Sequence, residues 1–160
     1  MSIGERRPWT RDELILAINL YCKTPFGRIH MRNPEIIELS NMLGRTPGSV
    51  SYKLANFASI DPTIDRKGAV NVSKLDRAVW NEFFADWDAM IFESETRMAQ
   101  LKKAESQVDE SDDFLMRNGE TRSAVVKVRI NQNFFRKMVL TAYNNGSSDF
   151  LVQQNRYKCL

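Results

Sequence analysis

A chain of 160 residues with 42 % hydrophobic content has room for one domain, or for one small domain with attached pieces. No apolar run reaches the length of a membrane span and the opening MSIGERRPWT is too polar for a signal peptide, so a cytoplasmic protein with no membrane partner is expected. The net charge of +3 is uneven: residues 1–60 carry eight Lys/Arg against five Asp/Glu, residues 61–118 eight against thirteen, and residues 119–160 seven against two. Two basic ends around an acidic middle suit a protein whose ends approach nucleic acid. Cys22 and Cys159 make neither a disulfide framework nor a zinc site.

In chain order, GERRPW reads as a basic extended leader, because Pro8 disfavours helix at Arg7. Thr10 and Glu13 form a capping box that opens a first helix, expected to run to about Lys23 and to bury Leu14, Ile15, Ile18 and Cys22. TPFGRIHMRN, from Thr24 to Asn33, has Pro, Gly and no helical period, and is a loop. His30 within it is the chain's single histidine and has no spaced partners for catalysis or metal binding. Asn33 and Pro34 then cap a second helix reaching about Leu43.

LGRTPGSVSYKLANF, from Leu43 to Phe57, is a tight turn into a sharply started helix. Gly44 tolerates the positive φ that ends one helix, and Thr46 with Pro47 starts the next. Val50, Leu54 and Phe57 share one face, which leaves Ser49, Tyr52, Lys53 and Asn56 facing out. Arg45, Thr46, Ser49, Tyr52, Lys53 and Asn56 are the candidate DNA-binding residues, with Arg45 placed for a phosphate. The same polar set also fits the solvated face of an ordinary amphipathic helix. Three such helices make a trihelical unit over residues 1–60 with a core of Trp9, Leu14, Ile18, Ile37, Val50, Leu54 and Phe57.

DPTIDRKGAVNVSK reads as a connecting loop. Ser73 and Asp76 cap a helix bearing Leu75, Val79, Trp80, Phe83 and Phe84, and a further helix runs from about Asp86 to Lys103. Residues 61–104 thus form a helical hairpin. Residues 105–120 are clustered acids with little period, an acidic linker rather than a metal site. Beyond it a short strand, Ala124 to Ile130, is expected before an Asn131-capped helix with Phe134, Phe135, Val139, Leu140 and Tyr143.

Several of these strings look familiar. PWTRDELILAINLYC with LGRTPGSVSYKLANF resembles a Myb/SANT-type trihelical helix-turn-helix. The run from Arg7 through Pro62, including CKTPFGRIHMRNPEIIEL and LANFASIDP, resembles the N-terminal region of a family of bacterial HNH restriction endonucleases, and SKLDRAVWNEF sits within the same likeness. VKVRINQNFFRKMVLTAY, inside residues 121–145, resembles the lead-in of the HNH nuclease domain of those proteins. The resemblance implies double-stranded DNA as the partner and a divalent metal as cofactor of a complete HNH domain. Residues 146–160 do not continue it, and the Ser-His-Ile segment and the helix with Asn and His that should follow are missing. No catalytic residue, metal ligand or cofactor is therefore assigned to this chain.

The expected fold is mainly α: a trihelical head, a helical hairpin, a linker, and a short strand plus helix left from an incomplete HNH domain. The expected function is the DNA-binding portion of an HNH-endonuclease-like protein, truncated before its catalytic motif and inactive alone. Alternatives are a protein-interaction or dimerisation module and a nuclease active only with a missing C-terminal part. Apolar residues of the last helix, deprived of the sheet they would cover, suggest a homo-oligomer.

Overall fold

Four of the expected cap pairs open helices in the computed structural model, which describes residues 7–62, 71–105 and 119–144. Thr10 accepts from the Glu13 amide while the Glu13 carboxylate returns to the Thr10 amide, and α1 runs Arg11–Lys23. Asn33 caps α2, Pro34–Leu43, with Pro34 as its first residue. Thr46 accepts from the Ser49 amide and starts α3, Pro47–Ile60. Ser73 and Asp76 cap each other reciprocally at the head of α4, Lys74–Ala85. Asp86 alone separates α4 from α5, Trp87–Glu105, and α6 covers Gly119–Asn144. These six α-helices and a short 3-10 turn at Phe26–Arg28 are the regular structure of the described residues, among which there is no strand.

The central element is α1, buried at every position from Glu13 to Cys22. A helix that is enclosed all round belongs inside the molecule, and α2, α3, α4, α5 and α6 all pack on it. One apolar cluster joins Leu14 and Ile18 to Ile36, Leu54 and Phe57, to Val79, Trp80 and Phe83 of α4, to Ile91 of α5, and to Phe134 and Met138 of α6. Aromatic rings thread it: Tyr21 and Phe57 meet Trp80, Trp80 meets Phe84, Phe84 stacks on Trp87, and Trp87 meets Phe134 edge-on at 5.6 Å between centroids. Such pairs contribute about 0.5–1.5 kcal/mol each beyond the area they bury.

Four expectations are corrected here. Ala124–Ile130 is not a strand but the first half of α6. Its valines favour strands intrinsically, yet the segment runs into NQNFFRKMVL without a Gly or Pro to break it. Val126 and Ile130 sit half-buried at helical spacing ahead of buried Phe134 and Met138. The propensity cost of β-branched residues in a helix is below about 0.7 kcal/mol each, which this packing outweighs. Asn131 is accordingly mid-helix, and its amide donates to the Asp88 carbonyl rather than capping anything. In α2 the core residues are Ile36 and Leu39, both enclosed, while Ile37 is exposed. The proposed linker loses its ends, since Glu105 closes α5 and Gly119 opens α6; residues 106–118, like the leader 1–6, the loop 63–70 and the tail 145–160, lie outside the described residues. No helix among the described residues is long and apolar enough to cross a membrane.

Candidate nucleic-acid interface

The turn between α2 and α3 is three residues long, Gly44 to Thr46. Gly44 has φ 63°, the left-handed conformation that a side chain disfavours, and the amides of Gly44 and Arg45 return to the carbonyls of Asn41 and Ser40. Helix, tight turn and helix thus follow each other against α1.

Arg45 does not reach outward from that turn. It is 7 % exposed, its Nε and Nη2 donate to the two Glu13 carboxylate oxygens at 3.1 and 2.8 Å, and it also donates to the carbonyls of Arg7 and Pro8. Its guanidinium lies 4.1 Å from the centroid of the Trp9 ring. Arg7 adds a second cation to Glu13 at 2.7 Å and donates to the Leu43 carbonyl. Arg45 therefore fastens the N-terminal approach of the chain onto the turn, and the phosphate contact expected of it is replaced by this internal bidentate pair. Burial acts to raise the Glu13 carboxyl, but hydrogen bonds from Arg45, the Thr10 amide and Arg7 outweigh it and hold the group below its ordinary value.

Lys53 and Asn56 are corrected in the same way. Lys53 is 8 % exposed and donates to both Asp76 oxygens at 3.0 Å, with its ammonium 5.3 Å from the Trp9 ring. Asn56 is 1 % exposed, and its side-chain oxygen has no hydrogen-bond partner among the described residues. The N-terminus of α4 covers this flank of α3, so residues opposite the first apolar stripe are not opposite the core. Thr46 is half-buried with its hydroxyl spent on the cap, and Ser49 is half-buried. Tyr52 alone of the six candidates faces out, 47 % exposed, its hydroxyl accepting from Asn71 at 3.2 Å.

No family model, curated protein or solved structure matches this chain.

Cations that do face solvent lie elsewhere. Arg28 and Arg32 are exposed on the α1–α2 loop, beside exposed His30. Sequence reasoning passed over them as loop residues; the available signal was two arginines within five positions between the first and second helices of a trihelical unit, where such folds touch the DNA backbone. A second exposed set, Arg129, Arg136 and Lys137, lies on α6. A divalent ion of the kind implied for a complete nuclease has no group of three His, Cys, Asp or Glu to hold it among the described residues. The described residues thus offer a cationic loop and a neutral helix face.

Proposed function

We propose that the chain engages double-stranded DNA as the non-catalytic portion of an HNH-endonuclease-type protein, with the contact made by the α1–α2 loop and the outer strip of α3. The observation that carries this reading is the helix-turn-helix itself, α2 and α3 joined by the Gly44–Thr46 turn and backed by α1. In this docking Arg28 and Arg32 meet phosphates, and Tyr52 with Gly48 and Ser59 forms the exposed strip of α3 that faces a groove. Arg45 and Lys53 serve by holding the helices in place.

That division makes the affinity electrostatic and weakly sequence-selective, since no bidentate base reader lies on the exposed strip. Fluorescence anisotropy of the full chain with a labelled duplex tests it. Binding at about 50 mM salt that falls steeply by about 200 mM, and that weakens when Arg28 and Arg32 become Ala, is expected. Absence of binding at the lower salt overturns the reading, as does binding indifferent to both Arg28/Arg32 and Tyr52→Ala. A second reading, a protein-interaction module, is favoured by one observation: Val125, Val128, Phe135 and Leu140 of α6 are all about half exposed.

A further inference from the structure

Four of the eight large apolar side chains that stand exposed among the described residues belong to α6, at Val125, Val128, Phe135 and Leu140. The helix is anchored by the opposite face. Phe134 and Met138 are buried, Phe134 packs on Trp87, and the Thr141 hydroxyl donates to the Lys23 carbonyl at 3.0 Å. Phe134 and Phe135 therefore divide the labour of adjacent positions, one inside and one out.

Between α5 and this outer flank lies a groove of about 560 Å³. Trp87, Ile91, Val128 and Phe135 give it an apolar surface, and Lys127 and Arg136 stand among its walls. Asp88, the one acid among the lining residues, accepts from Asn131. From Ser123 to Thr141 the sequence has Lys127, Arg129, Arg136 and Lys137 and no Asp or Glu. Whatever covers the groove must supply apolar anchors and negative charge together.

We infer that this groove is a docking site for an acidic amphipathic helix of a partner protein, its apolar residues seated on Val128 and Phe135 and its carboxylates on Lys127 and Arg136. Charge decides against a second copy, because two copies laid together along Ser123–Thr141 would set four cations of one α6 against four of the other, with Asp88 the one acid in the groove lining. It decides less between protein and nucleic acid, but a phosphodiester backbone has nothing to place on Val128 and Phe135. The leucine side chains of an amphipathic helix do, at i, i+3, i+4 and i+7.

The probe is a fluorescein-labelled, lactam-stapled helix with leucines at that spacing and glutamates between them, titrated with the full chain. Binding is expected, weaker as salt rises, and reduced about tenfold by Phe135→Ser and by Arg136→Glu, two exposed positions whose substitution leaves the core intact. The same peptide with lysines for glutamates is expected not to bind. The proposal is overturned if the lysine peptide binds equally well or if neither substitution changes the acidic peptide's affinity. It is also overturned if sedimentation velocity shows a dimer that Phe135→Ser dissolves, or if phosphatidylglycerol vesicles or duplex DNA bind through Phe135 while the peptide does not. The Arg28 and Arg32 substitutions lie off this groove, so loss of DNA binding and loss of peptide binding are read separately.

Discussion

The ammonium of Lys53 sits 3.0 Å from both carboxylate oxygens of Asp76, which at the same time caps α4 through the Ser73 amide. A single carboxylate thus ties α3 to the first turn of α4, and both members are buried. Removing one partner of a buried pair strands the other charge, a cost of about 3–5 kcal/mol. Lys53→Ala should lower unfolding stability by about that amount, whereas Lys53→Met with Asp76→Leu should recover most of it. Urea denaturation of the single and double variants measures this, and a Lys53→Ala variant that is stable but defective in DNA binding would restore an outward role for the lysine.

Arg45 and Glu13 form the second internal pair, and they set an acid response. Because hydrogen bonding lowers the Glu13 carboxyl in the folded state, its stabilisation is present above the ordinary carboxylate range and disappears as pH falls through the depressed folded value. Glu95 behaves alike: burial acts to raise it, but the charge and hydrogen bond of Lys23 and the Asn19 amide outweigh that and lower it. Stability should fall on acidification below pH about 5. Glu13→Gln should be less stable at neutral pH and lose part of that slope, checked by thermal unfolding across a pH series.

The salt dependence of the proposed DNA binding should report Arg28 and Arg32. Each phosphate contact contributes about 0.9 to the logarithmic slope, so replacing both arginines by alanine should flatten it by about 2 units. An unchanged slope would place the contact elsewhere.

Phe134→Ala and Phe135→Ala alter neighbouring residues with opposite expected outcomes. Phe134 is 1 % exposed and sits against Trp87, so its truncation should cost about 3–5 kcal/mol; Phe135 is 47 % exposed and should change stability by less than about 0.5 kcal/mol. Equal losses would mean that α6 is rotated from the placement described.

Local chemistry was readable in the sequence wherever both partners lie within a few residues. Thr10 with Glu13, Asn33 with Pro34, Gly44, Thr46 with Pro47, and Ser73 with Asp76 each mark a boundary that the fold uses. What failed depended on distant partners. Lys53 reads as a solvated lysine until Asp76, 23 residues later, is brought to it, and the outer flank of α3 looks free until α4 covers it. Arg45 reads as a phosphate ligand until Glu13, 32 residues earlier, claims it. The valines of Ala124–Ile130 misled for a related reason, because their strand preference is small beside the packing of one long helix. Of the candidate site, Tyr52 kept its outward position, and the exposed arginines came to light only when the loop between α1 and α2 could be seen.

The enclosure of α1 has a kinetic consequence. Since every other described helix leans on it, its amides can meet solvent only when the surrounding layers open together, and deuterium should enter Leu14–Leu20 last of all. A cut or destabilising change made at either end of the chain would then register in the exchange rates of this one buried rod.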